Sequence, residues 1–86
     1  MSQHLINFTE SSQIKGQSGS IESNCNSIEF INIGQDTFYI LGCPILQGFS
    51  FVRNGGVGEF NITNYNITFA NVAGMVQQCL VIRKIY

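Results

Sequence analysis

The sequence predicts an all-β fold, a small antiparallel sandwich or barrel of jelly-roll or Greek-key type with about seven or eight short strands. Three observations predict it. Apolar residues alternate with polar ones in short runs, the period of a strand with one buried face. The runs are separated at regular spacing by Gly, Asn and Asp, the residues that take turn conformations most readily. No stretch carries the apolar period of a long helix. A chain of 86 residues is one domain, expected to comprise an N-terminal arm and polar linker over 1–20 and a β body over 21–86.

Residues 1–10 alternate briefly, with His4, Ile6 and Phe8 on one side and Leu5, Asn7 and Thr9 on the other, as in an edge strand or extended arm. Glu10 to Ser20 is rich in Ser, Gln and Gly and offers little surface to bury, so it is expected to be a loop or linker, or a long hairpin loop of the same domain. A short strand follows near Ser20–Ser23 and a stronger one over Ser27–Ile33. Ile28 and Phe30 share one face of the latter, and Ile31 and Ile33 extend the other. Gly34-Gln35-Asp36 is the turn into Thr37–Leu41, which sets Phe38 and Ile40 opposite Tyr39. Gly42 to Gly48 reads as a break, because Pro44 cannot donate to a ladder.

Phe49–Arg53 reads as a strand with Phe49 and Phe51 on one face, ended by the turn residues Asn54-Gly55-Gly56. Glu59–Thr63 is expected to point Phe60 and Ile62 inward, and Tyr65–Phe69 to point Tyr65, Ile67 and Phe69 inward. The parity changes across Asn64, so a turn or bulge is required there. Ala70–Gln78 is either a loop, on account of Gly74, or a single helical turn. Cys79–Tyr86 is apolar on both parities at its start, which fits a central or interface strand.

Charged residues make up 10% of the chain, less than half of the roughly 25% usual in soluble domains. Net charge is −1, so repulsion between copies is weak and association is favoured over a free monomer. Lys15, Arg53, Arg83 and Lys84 are too few for a stripe that tracks phosphates, which argues against nucleic acid as a partner. The N-terminus has no basic segment followed by an apolar one, and residues 38–46 are interrupted by Gly42 and Pro44 and too short to span a bilayer. A chain made in the cytoplasm without a membrane span is the expectation.

No catalytic constellation is visible. His4 is the sole histidine, and Glu10, Glu22, Glu29, Asp36 and Glu59 are scattered over positions that read as solvated. Cys25, Cys43 and Cys79 are odd in number and far apart, which fits free thiols in a reducing compartment rather than a disulfide framework or a zinc site. The glycines of RNGGVG open no helix and lack the Lys-Ser/Thr of a phosphate loop. No enzyme activity, cofactor or metal is expected. The triplets at Asn7, Asn61 and Asn66 match glycosylation acceptors but read more simply as strand residues.

Two surfaces remain as candidates for binding. Ile31, Ile33, Val81 and Ile85 are the apolar positions left over once one strand face is given to the core, and are expected to form a subunit interface. Tyr39 and Tyr65, with Asn61, Thr63, Asn66 and Thr68, could stack on and hydrogen-bond a sugar.

The strand rhythm from Cys25 to Tyr86, with the turn at Ile31 to Thr37, the segment Gly42 to Phe51, then EFNITNYNITF and the terminal CLVIRKIY, resembles the small accessory β-proteins of bacteriophage virions. These are capsid-decorating, head-fibre or spike-base subunits. The resemblance implies a virion structural protein, a homo-oligomer and often a trimer, that contacts other virion proteins and anchors through its N-terminal arm. A carbohydrate- or receptor-binding module is the alternative.

Overall fold

The computed structural model describes residues 9–56 and 58–86. The expected arm, with His4, Ile6 and Phe8, lies outside the described residues. Among the described residues eight strands form: β1 (Thr9–Lys15), β2 (Gly19–Glu22), β3 (Ser27–Asn32), β4 (Phe38–Ile40), β5 (Cys43–Ile45), β6 (Ser50–Arg53), β7 (Asn64–Phe69) and β8 (Cys79–Ile85). They make two antiparallel sheets, A in the order β1-β8-β3-β6 and B in the order β2-β7-β4-β5. Consecutive strands alternate between the sheets until β4 and β5, which is the strand order of an eight-stranded jelly roll.

The core lies between the sheets. Ile28 and Phe30 of β3 and Cys79 and Val81 of β8 face Ile21 of β2, Phe38 and Ile40 of β4, Ile45 of β5, and Tyr65, Ile67 and Phe69 of β7. Phe30 is its centre. Its ring meets Tyr65 edge-on at 5.3 Å between centroids and Phe51 of β6 at 6.1 Å, offsets that suit the ring quadrupoles. The alternation read from Tyr65, Ile67 and Phe69, from Phe38 and Ile40 and from Ile28 and Phe30 is the alternation that builds this core.

The polar stretch expected to be a linker is instead largely strand. β1 pairs with β8 over seven residues, Thr9 opposite Ile85 through Lys15 opposite Cys79, so Thr9–Lys15 belongs to the same sheet as the body. An edge strand gains its ladder from the neighbouring backbone, and its side chains can stay wet. The expected break at Gly42–Gly48 contains β5, reached through a two-residue turn in which Leu41 (φ 50°) and Gly42 (φ 79°) are both left-handed. Two positive φ values match the twist of a tight hairpin. Phe60 and Ile62 do not point inward: they are 54% and 74% exposed, because this segment joins no strand ladder and is tied by the bridge between Cys25 and Asn61 and by hydrogen bonds from Ser23 and Asn26. Phe49 is likewise outside its strand and 64% exposed, leaving Phe51 alone to pack on the core.

Polar side chains tie the loops at one end. Asn32, 1% exposed, donates through Nδ2 to the carbonyls of Asp36 and Ile45, 2.8 Å each, and accepts from the Gly34 N–H at 3.0 Å. Asp36 was expected to be solvated but is also 1% exposed. Its Oδ2 accepts from the Asn71 N–H at 2.7 Å and from Gln77 Nε2 at 3.1 Å. Gly34 must be glycine: a Cβ there would sit 2.6 Å from the Val76 carbonyl oxygen and 2.7 Å from the Gln78 nitrogen.

The three thiols are free, Cys25 and Cys79 buried and Cys43 exposed. Burial pushes the Cys79 thiol from 9.0 to about 12 and also raises Cys25, where the Arg83 charge opposes it. Below pH 9 Cys79 is protonated folded or unfolded, and its full contribution is present. Above pH 9 the unfolded thiol ionises while the folded one does not, so stability falls by up to about 1.4 kcal/mol per pH unit until pH 12. The urea midpoint is therefore expected to drop between pH 8.5 and pH 10.5, and to drop less in Cys79→Ala; an equal drop in both would assign the effect elsewhere.

Candidate assembly surface

The outer face of sheet A is built by residues that alternate with the core-facing ones, and partners directly opposite in an antiparallel ladder share a face. One cross-strand row runs Ile14, Leu80, Ile31, Ser50 from β1 to β6. The next runs Ser12, Ile82, Glu29, Val52. A third row sets Glu10 against Lys84 and Lys84 against Ser27. Apolar side chains thus span all four strands at one end of the face, while the other end is ionic, with Lys84 Nζ 3.9 Å from Glu10 Oε2.

Ile14 is 60% and Val52 45% exposed, and Leu80, Ile31 and Ile82 are half-buried by their neighbours. Ile33 follows Ile31 on the same parity beyond the end of β3 and is 41% exposed. Three apolar side chains in direct cross-strand register, Ile14, Leu80 and Ile31, with Ile82 and Val52 on either side of Glu29 in the next row and Ile33 beyond, exceed the scattered single apolar residues normal on a surface.

The predicted interface residues divide. Ile31 and Ile33 belong to this face. Val81 does not, being fully buried: on β8 the parity of Cys79 and Val81 faces the core, and the outer one belongs to Leu80 and Ile82. Ile85 shares Val81's parity, is 40% exposed and pairs with Thr9 at the ionic end, apart from the apolar rows. Sequence reasoning missed Leu80, Ile82, Ile14 and Val52. The pattern CLVIRKIY is apolar at four successive positions and fits either phase, and Ile14 is one apolar residue in a polar run.

The predicted sugar-contacting residues also divide. Tyr39, Asn66 and Thr68 lie together on the outer face of sheet B, with Tyr39 opposite Thr68 and Asn66 opposite Ser20. Tyr39 is 43% exposed. Tyr65 is buried in the core, and its hydroxyl accepts from Asn61 Nδ2 at 2.8 Å. Asn61 is used internally, its Oδ1 accepting from the Thr63 N–H at 2.8 Å. Thr63 is exposed, but its carbonyl accepts from Ser23 Oγ at 2.7 Å, and it stands beyond the edge of the face that holds Tyr39.

Two hollows accompany these surfaces. A small one of about 60 Å³ opens on the outer face of sheet A beside Glu29, Val52, Ile82 and Lys84. A larger, shallow one of about 470 Å³ lies at the ionic end of the sandwich, between Arg53, Glu59, Phe60 and Ile62. Asn26 at its base is spent on structure, its Nδ2 donating to the carbonyls of Gly56 and Glu59 at 3.1 and 2.7 Å.

The sandwich, with no helix among the described residues, thus offers an apolar patch on the outer face of sheet A and a polar outer face on sheet B. No protein family, curated protein or solved structure matches the chain.

Proposed function

We propose that the protein is a non-enzymatic structural subunit that assembles with copies of itself through the outer face of sheet A, as a component of a phage virion. The observation that carries this reading is the apolar row Ile14–Leu80–Ile31, extended by Ile33, Ile82 and Val52. β3 and β8 are the inner strands of sheet A and carry Ile31, Leu80 and Ile82 on the face away from the core, and apolar side chains on both sides of a sheet are stable when both sides are covered. A stable contact buries about 800 Å² per partner around such side chains. The placement in a virion, and the trimeric state, rest on the resemblance to phage accessory proteins. The occurrence of jelly rolls in capsid domains is a likeness of fold and adds only an analogy.

Light scattering on the purified full chain tests the assembly. The mass is expected to be a multiple of 9.5 kDa, and Ile14→Ser with Val52→Lys is expected to weaken association by at least about 100-fold, since each loses most of the roughly 1.5–3 kcal/mol of an apolar side chain's burial. Both sites are well exposed, so the variant keeps its fold. A monodisperse monomer at tens of micromolar would remove the proposal.

A second reading, a carbohydrate-binding module, is favoured by one observation: Tyr39, Asn66 and Thr68 stand side by side on sheet B, and no hydrogen bond among the described residues engages their side chains. A glycan array that retains the wild-type chain but not Tyr39→Ala would support it, and an array without signal would dismiss it.

A further inference from the structure

Charge is segregated along the sandwich. Glu10, Glu22, Arg53, Arg83 and Lys84 all lie at the ionic end or in the half next to it, as the pairings of Glu10 with Lys84, Glu22 with Asn64 and Arg53 and Arg83 with Ile28 place them, and Glu59 lines the same hollow as Arg53. Glu29 stands mid-strand, opposite Ile82. The other end gathers the turns 16–18, 33–37, 46–49 and 70–78. Hydrogen bonds bring them together: the Asn32 N–H donates to the Phe49 carbonyl, those of Gln35 and Asp36 to the Val76 carbonyl, and the Phe69 N–H to Ser18 Oγ.

This loop end carries Phe49 at 64% exposure, Leu46, Val72 and Val76 at about 50%, and Met75 at 45% on the same turn as the valines. Its one acid, Asp36, is buried and hydrogen-bonded. The cation at its rim is Lys15, the last residue of β1, opposite Cys79. Apolar tips, no exposed carboxylate and a single half-buried lysine at the rim are complementary to the headgroup region of a bilayer that contains anionic lipid.

We propose that this end docks on a membrane surface by inserting Phe49, Leu46, Val72 and Val76 between lipid headgroups. The choice of a bilayer over a second copy rests on shape and charge together. Leu46 and Phe49 stand on the turn 46–49, and Val72 and Val76 on the separate turn 70–78. Lipid conforms to separate tips, whereas a rigid copy needs a matching surface. The Asn32 and Asp36 hydrogen bonds hold the turns in place beforehand, so little ordering accompanies insertion. The proposal is independent of self-assembly through sheet A, which uses the adjoining face.

Co-sedimentation of the full chain with vesicles of phosphatidylcholine plus phosphatidylserine tests it. Wild type is expected to partition onto the vesicles, and Phe49→Ser to reduce the partition coefficient by about tenfold. Lys15→Ala is expected to reduce it about fivefold on anionic vesicles and not on phosphatidylcholine alone. Phe49→Trp supplies a reporter whose emission shifts to the blue and is quenched by brominated acyl chains. Phe49→Ser should keep the wild-type urea midpoint, because the side chain is mostly in water. The proposal is overturned if wild type stays in the supernatant, if Phe49→Ser binds as well as wild type, or if Phe49→Ser dissociates an oligomer while vesicles capture neither protein. The last result would make this end a contact between copies.

Discussion

Phe30→Ala is expected to leave the protein largely unfolded at room temperature. The side chain is fully buried between the sheets and in contact with the rings of Phe51 and Tyr65. Removing a core phenylalanine costs about 3–5 kcal/mol through lost transfer energy and the cavity left behind. A domain of 86 residues has a total stability of about 4–13 kcal/mol, so the loss takes a large share or all of it. Partial collapse into the space cannot rescue the site, because Phe51 and Tyr65 are anchored on strands of opposite sheets and would have to move them. Phe30→Leu, which retains most of the volume, should remain folded with a loss of about 1–2 kcal/mol. Urea denaturation followed by far-UV circular dichroism checks both. A Phe30→Ala midpoint within about 0.5 M of wild type would mean that this ring is not the centre of the core.

Most of the sheet structure was legible because burial and alternation coincide in it. Tyr65, Ile67 and Phe69 are buried, and Asn64, Asn66 and Thr68 are exposed, so hydrophobicity alone reports the strand and its phase. The same logic failed where burial does not define the strand. In β1 a seven-residue ladder with β8 supplies the order, and an edge strand with wet side chains has the composition of a loop. In β5 the reversal at Leu41 and Gly42 places a left-handed leucine where sequence rules expect Asn, Asp or Gly.

Phase was the harder quantity. Phe60 and Ile62 alternate as cleanly as Tyr65 and Ile67, yet alternation is unchanged when a segment is turned over, and what pins this one is an isolated bridge to Cys25 with polar bonds from Ser23 and Asn26. The candidate interface suffered the same ambiguity by one residue: in Cys79–Ile85 the outer set is Leu80 and Ile82, one step from Val81. Ile31 and Ile33 stand away from the core with Asn32 between them drawn inward by carbonyls that need its donors, a requirement visible only once Asp36 and Ile45 are brought beside it.

That requirement gives a second large effect, and one that reads out chemistry rather than volume. Asn32→Asp is expected to be more destabilising at pH 7 than Asn32→Ala, although Asp is nearly isosteric. Ala leaves the Asp36 and Ile45 carbonyls and the Gly34 N–H without their partner, a loss of about 2–4 kcal/mol. Asp restores the acceptor for Gly34 but turns a carboxylate oxygen towards two carbonyl oxygens in a site that is 1% exposed, where an unpaired charge is disfavoured. Protonating that carboxyl supplies one donor, so its pKa should be raised on folding. Stability is then retained below the unfolded pKa and lost as pH rises, opposite to a salt-bridged carboxylate. Urea midpoints of the two variants at pH 4.5 and pH 7 decide it. Asp worse than Ala at pH 7, with the gap closing in acid, is the expected order; Asp as stable as wild type at pH 7 would mean that the Asp36 and Ile45 carbonyls do not stand against this side chain and that the loops at this end are held by something else.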